Sequence, residues 1–460
     1  MVKKSKKIGV LQLTLLSVSA IVSLKSLPLF AEVGFSIVFF LGVATICFFI
    51  PISMVIAELS STWSDSGGCY LWIKKAYGKS WAFFVMWAYW MESIIWFPTM
   101  LIFVVAMLAH TLSPIYPNLE ENSYFLVCGI VLIFWLLTYL NFYGVKLSAG
   151  FSSIGVLLGT VIPICMIIFL GIAWFYKGNS INISFNVGSL IPDFNFGSLV
   201  FLSGILLGLS GIEIISFYVN DVENPRVNIA KSVLISSLFI LVIYVLGSLS
   251  VAMVVPKSDI CLASGVIQAL KIFFIKLNLP FVVPFIAFLL LLGSLSGMNT
   301  WIIGPAKGLF VAADDGFLPK ILCKVNSRNV PVNLLILQAI IGSVLSVLFF
   351  LYINSINGLV WIFICLSFQF ASFLYIMIFF SVLKLRKMYP NKNRPYKVPF
   401  VKFFSYMGIL ICVFTFFISY AQPIDINIAS RKFYSVLLFV SFVLLMTPAL
   451  FFIFFKSKRI

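Results

Sequence analysis

Long apolar blocks alternate with short polar connections along almost the whole of this chain. A helix that crosses a bilayer needs about 20 predominantly apolar residues. The blocks supply twelve such helices: 8–30, 35–59, 80–109, 124–142, 148–176, 197–224, 229–255, 280–313, 331–351, 358–383, 403–421 and 433–455. The stretch 256–279 is mixed in polarity and holds three lysines, which predicts an amphipathic segment on the membrane surface. The pattern predicts an all-α membrane protein in which residues 1–460 form one transmembrane domain.

Two blocks are not uniform. The first contains Val22-Ser-Leu-Lys-Ser-Leu-Pro28. A charge, two serines and a proline at mid-span are costly in a continuous helix facing lipid. The sixth contains Gly208-Leu-Ser-Gly211, then Glu213, and leaves through Asn224-Pro225. Each glycine weakens a helix interior by about 1 kcal/mol relative to alanine, so this helix is also expected to break. Each break lies in the first helix of a set of five. Paired interruptions at matching places in two halves point to an inverted repeat that holds a polar solute between them. The repeats are expected over 8–176 and 197–386, with 403–455 as two added helices.

Composition supports a membrane protein and charge gives it a direction. Charged residues make up 10% of the chain and mean hydropathy is +1.14, whereas soluble domains approach a quarter charged. The net charge of +17 does not mark a nucleic-acid surface. Of the 31 Lys and Arg, 23 fall on one side of the expected spans, counting Lys231 at the end of the seventh, and six on the other, with Lys25 and Lys307 inside helices. Basic residues gather on the cytoplasmic side, so both termini are expected inside the cell, in the cytoplasmic membrane. The run Lys3-Lys-Ser-Lys-Lys7 reads as a topology anchor. The eight cysteines form no C-x-x-C pair, and His110 is the single histidine. No metal site, disulfide framework or cofactor is expected. The first block lacks a small-residue cleavage exit and reads as a retained helix.

Four segments carry a family resemblance. They are Ala57-Glu-Leu with Ser66-Gly-Gly-Cys-Tyr and Tyr77-Gly78; Gly211-Ile-Glu213 with Asp221-Val-Glu-Asn-Pro-Arg226; Trp301-Ile-Ile-Gly-Pro-Ala-Lys with Asp314-Asp-Gly-Phe-Leu-Pro and Lys324-Val-Asn326; and Arg394-Pro-Tyr-Lys-Val-Pro399. In this order and spacing the chain resembles the amino acid–polyamine–organocation superfamily of amino acid transporters. Gly34-Phe-Ser-Ile-Val-Phe-Phe-Leu41 and Leu289-Leu-Leu-Leu-Gly293 most resemble its bacterial glutamate/GABA antiporter branch. The resemblance implies a LeuT-type five-plus-five helical fold with two extra helices, and alternating-access exchange or proton-coupled uptake of amino acids. Three departures stand out. Ser23-Leu-Lys-Ser-Leu-Pro28 replaces the glycine-rich turn usual in the first break. No counterpart of the C-terminal plug of those antiporters is expected after the last helix. Leu207 stands about where related arginine/agmatine exchangers carry an aromatic gate.

An amino acid offers a carboxylate and an ammonium. At a helix break, free N–H groups suit the first and free carbonyls the second. The carboxylate is expected at Ser23, Lys25 and Ser26, and the ammonium at carbonyls near Gly208, Leu209 and Ser210, beside Gly211. Trp301 matches the family's cavity-lining tryptophan of helix 8, and Trp96 is a further wall candidate. Glu213 maps onto the glutamate of the family's Gly-x-Glu motif and is expected in gating or proton handling. Lys25 and Glu92 are additional to the family motif, and two readings stand. They pair with each other; or Lys25 serves as a tethered cation or carboxylate ligand while Glu92 carries a coupled proton. Glu58, Asp65, Asp221, Glu223, Arg226, Asp314 and Asp315 lie at inner helix ends and are expected in ion pairs that set an inward-closed state.

The expected partners are an amino acid, the lipid bilayer and, as a candidate coupled ion, the proton. Three other classes fare worse. A non-transporting receptor would need a signalling domain, an intramembrane enzyme a nucleophile, metal or acid–base cluster, and a channel a ring of charges or carbonyls.

Overall fold

The computed structural model describes residues 9–63, 68–143, 155, 157–213, 222–313, 315–328, 330–353, 355–424, 426, 428 and 430–457. Among these the elements are helices and no strand is present. In chain order those of six residues or more are α1 (Val10–Ile21), α2 (Ser26–Ala31), α3 (Gly34–Thr62), α4 (Gly68–Tyr77), α5 (Lys79–Leu112), α6 (Ser123–Asn141), α7 (Leu157–Tyr176), α8 (Phe196–Gly208), α9 (Pro225–Val254), α10 (Gly265–Lys276), α11 (Val283–Ala313), α12 (Val332–Tyr352), α13 (Ile356–Met388), α14 (Val401–Ile418) and α15 (Arg431–Ser457). Ten of the described helices are long and apolar enough to cross a membrane. The first and sixth expected spans are not among them. The first is divided into α1 and α2, and α8 stops at Gly208. The chain from Ile214 to Asp221 lies outside the described residues, as do Asp65, Asp314, the start of the fifth span and the basic N-terminal run.

One segment differs from the sequence reading, and in a second the structure shows what the apolar side of an expected amphipathic stretch packs against. Residues 68–77, expected as loop, form α4, which buries Cys69, Tyr70, Trp72, Ile73 and Ala76 and places Lys74 and Lys75 in its last turn. Ten residues of mixed polarity are too few to stand out as an apolar block. The segment expected on the membrane surface contains α10, whose apolar side packs on protein: Val266, Ile267, Ala269, Leu270, Phe273 and Phe274 are buried, and the helix touches α2, α7, α9 and α11.

The centre of the bundle is α5, packed against α11 and α13. Over their most apolar stretches α13 is 83% and α5 78% buried inside the protein, against 22% for α15. The first two are interior scaffold, and α15 keeps an apolar flank for lipid. Along its length α9 touches both α1 and α2, which places it behind the interruption between them.

One end of the bundle is fastened by two charge clusters. Glu58, fully buried near the end of α3, accepts from Nε of Arg386 at 2.8 Å, from the second nitrogen of the same guanidinium, and from the Val398 N–H at 2.7 Å. Nε of Arg394 lies 3.3 Å away. The Arg394-to-Pro399 motif thus supplies both a cation and a backbone donor to this acid. Asp315, just past α11, pairs with Lys74 at 2.5 Å and Lys79 at 3.0 Å and accepts from the Tyr70 hydroxyl. Burial alone would raise its carboxyl, but the hydrogen bonds from Lys74, Tyr70 and Lys79 prevail and hold it at about 2. At the same end the Lys384 ammonium lies 4.1 Å from the Tyr77 ring centre.

Candidate functional site

The break between α1 and α2 is built by backbone geometry. At Val22 the chain turns extended, with φ −70° and ψ 117°. It re-enters a helix through two tight bonds: Ser26 N–H donates to the Ser23 carbonyl and Leu27 N–H to the Leu24 carbonyl, both at 3.1 Å. Leu24 and Lys25 therefore belong to neither helix. Pro28 falls in the first turn of α2, where a missing N–H breaks no helical bond.

The end of α8 is built by glycine and serine. Gly211 adopts φ +112°, a backbone region that L side chains rarely enter. Ser210 donates its hydroxyl to the Leu207 carbonyl at 2.6 Å and its N–H to the same oxygen at 3.1 Å. A helix end leaves carbonyls without intrahelical donors, and here the serine supplies one. Gly208 allows α2 to come close. A Cβ there would sit 2.6 Å from Cζ of Phe30.

Tyr244, on α9, joins the two helix ends. Its buried hydroxyl donates to the Ile21 carbonyl at 2.7 Å and lies 3.2 Å from the Gly208 carbonyl. It also accepts the Ser23 N–H at 3.2 Å. One proton cannot serve two carbonyls equally, so the shorter bond to Ile21 dominates. The ring meets Phe30 edge to face, with centroids 4.9 Å apart. The hydroxyl thus bonds the last carbonyl of α1 and the first free N–H of the break, and stands 3.2 Å from the Gly208 carbonyl at the end of α8.

A cavity lies where these ends meet. Traced by the centres of water-sized spheres its volume is about 110 Å³. One water needs about 10–15 Å³ on that measure, so the space suits several waters or one small solute. Seven of the expected substrate residues line it: Ser23, Lys25, Ser26, Trp96, Gly208, Ser210 and Trp301. Leu209 and Gly211 do not, since both are buried behind the α8 end. Glu92 lines the cavity and Glu213 does not.

The sequence left open whether Lys25 pairs with Glu92. In the structure the two make no direct ion pair. The Lys25 ammonium donates to the Thr99 hydroxyl and lies 4.4 Å from the Trp96 ring centre, a cation–π contact. Thr99 in turn donates to the Trp96 carbonyl at 2.7 Å, which fixes its oxygen as the acceptor for the lysine. Trp301 stands beside Trp96, centroids 6.0 Å apart. The Glu92 carboxylate has no hydrogen-bond donor among the described residues.

Glu213 is held differently. Tyr375 donates to one oxygen at 3.0 Å and the Gly211 N–H to the same oxygen at 3.2 Å. Tyr89 donates to the other at 3.3 Å. Tyr375 also accepts from the Gly211 N–H at 3.1 Å. This acid ties the chain after α8 to α13 and α5, one layer behind the cavity wall.

Sequence reasoning did not single out Tyr244, Thr99, Ser93, Thr160, Gly297 or Ser294. On α5, Thr99 follows Trp96 and Ser93 precedes it, each by three residues, so helical spacing puts all three on one side, a signal that could have found them. Tyr244 sits among apolar residues of an ordinary span, and nothing local marks it.

Comparison with known proteins adds an independent view. The family model described as amino acid permease matches residues 8–443. An uncharacterized transporter of Legionella pneumophila is 37% identical over 430 residues, covering 92% of each chain. A glutamate/gamma-aminobutyrate antiporter of Lactococcus lactis is 30% identical over 451 residues, 95% of this chain and 88% of that one. A protein of the same species, named as a probable agmatine/putrescine antiporter, is 26% identical over 373 residues, 80% and 77% of the two chains.

Proposed function

This chain belongs to the amino acid permease family of the amino acid–polyamine–organocation superfamily, and from that premise we propose that it exchanges amino acids across the cytoplasmic membrane by alternating access. It is a membrane transporter and not an enzyme. The reading rests above all on the cavity between the α1–α2 interruption and the α8 end, with the Tyr244 hydroxyl bonded to the first and within 3.2 Å of the Gly208 carbonyl of the second. In this account α1 with α2 is one broken span and α8 belongs to the other, in an inverted repeat over 8–176 and 197–386. Together with the ten continuous helices they make twelve. The Lys- and Arg-rich side faces the cytoplasm, which places the Glu58 and Asp315 clusters at the inner end.

The substrate carboxylate binds at Ser23, Lys25 and Ser26, where the chain between α1 and α2 and the first residue of α2 line the cavity. The ammonium binds near the Gly208 carbonyl at the negative end of α8. Exchange is the preferred mode because two relatives carry antiporter names. Proton-coupled uptake is the second reading, favoured by two buried acids, Glu92 in the wall and Glu213 behind it. Purified protein in liposomes separates the two. Exchange predicts uptake of labelled amino acid only when unlabelled amino acid is inside. Uptake into empty vesicles driven by an inward proton gradient would establish the second reading instead, and no flux of any common amino acid would remove both.

A further inference from the structure

Lys25 and Glu92 are the only ionisable residues among the described residues of the cavity wall. They carry opposite formal charges, yet they do not pair with each other. A charged group away from bulk water is expensive unless it is paired. Each has unused capacity. An ammonium has three N–H donors, of which Thr99 takes one while the Trp96 face covers another side. The Glu92 carboxylate accepts no hydrogen bond from the described protein. The rest of the wall offers neutral groups alone, apolar side chains such as Leu24, Leu29 and Met100 beside the hydroxyls of Ser93, Thr160 and Ser294. A ligand with one anionic and one cationic group would complete both residues at once. A net anion would leave Glu92 facing like charge, and a net dication would do the same to Lys25.

We infer that Lys25 and Glu92 together set charge selectivity, so that the cavity selects net-neutral zwitterions, with the substrate carboxylate on Lys25 and its ammonium between the Gly208 carbonyl and Glu92, both of which line the cavity. This rests on the cavity being the transport site, and it makes Lys25 a specificity-determining residue. Removing either charge shifts selectivity in a stated direction. Lys25→Met leaves the wall net negative and favours dications. Glu92→Gln leaves it net positive and favours anions. Lys25→Arg keeps the balance.

The test uses purified full-length protein in liposomes loaded with the probe. Exchange is measured with three probes: 4-aminobutyrate (net neutral), glutamate (net anionic) and putrescine (net dicationic). Wild type is expected to exchange the neutral probe at least tenfold faster than either other. Lys25→Met should raise the putrescine-to-glutamate ratio at least tenfold, Glu92→Gln should lower it at least tenfold, and Lys25→Arg should leave it near wild type. Should Lys25→Met not fold, Glu92→Gln reads the same balance from the other side. Folded variants whose ratios stay within threefold of wild type overturn the inference while leaving the transporter reading intact. A wild type that carries none of the probes or other common amino acids overturns the reading beneath it.

Discussion

Tyr244→Phe isolates one atom that the account places at the junction of both helix ends. The ring stays, and with it the edge contact to Phe30 at 4.9 Å, so the variant is expected to fold. What goes is the hydroxyl that accepts from the Ser23 N–H at 3.2 Å and donates to the Ile21 carbonyl at 2.7 Å, with the Gly208 carbonyl 3.2 Å away. A net protein hydrogen bond contributes about 1 kcal/mol, and a buried group left unmatched costs about 1–3 kcal/mol. The break borders a cavity that admits water, which can replace part of the loss, so about 1–2 kcal/mol is the working figure. If the break geometry is what the substrate binds, that loss appears as affinity. At about 1.4 kcal/mol per tenfold, it weakens binding by about fivefold to thirtyfold. The assay is a thermal-shift titration of purified wild type and variant with the amino acid that wild type carries, beside exchange in liposomes. An affinity within twofold of wild type in a folded variant would refute the reasoning, because the hydroxyl would then be a packing detail.

Three further outcomes are expected. Gly208→Ala places a Cβ 2.6 Å from Phe30 Cζ; the ring is held against Tyr244, so overpacking should cost about 1–3 kcal/mol, and an unchanged unfolding midpoint would contradict the close approach. Glu58→Gln leaves Arg386 and Arg394 without their buried counter-charge; breaking such a pair costs about 3–5 kcal/mol, so folded yield in detergent should fall sharply, and wild-type yield would show the cluster to be dispensable. Asp315 has a lowered folded-state value, so its ion pairs contribute fully above the ordinary value of 3.8 and lose their contribution as pH falls toward about 2; the gap in unfolding midpoint between wild type and Asp315→Asn should be constant near neutral pH and close on acidification, whereas a gap that widens in acid would reverse the sign.

Much of this molecule was legible in its sequence because a bilayer imposes length and polarity. The expected span 80–109 corresponds to Lys79–Leu112 and 331–351 to Val332–Tyr352. α1 ends at Ile21 and α2 begins at Ser26, on either side of the charge that is costly inside an apolar run. α4 was not legible, because a short amphipathic helix packed on protein has neither the length nor the uniform polarity of a span. The partner of Lys25 was not legible either. A lysine can meet any acceptor within reach, and the choice of Thr99 over Glu92 depends on how α5 is rotated against the break. Tyr244 shows the limit most clearly, since its hydroxyl meets residues 223 positions before it and 36 before it.

The most direct measurement of the central claim is thiol labelling of Ser210→Cys. Ser210 lines the cavity at the end of α8, and the native cysteines are not among the lining residues, so wild type serves as the background. With a small water-soluble thiol reagent, labelling should be rapid without substrate and slowed at least fivefold by a saturating amount of the amino acid the protein carries. An amino acid that the protein transports but that leaves the rate unchanged would place the substrate elsewhere and contradict the account.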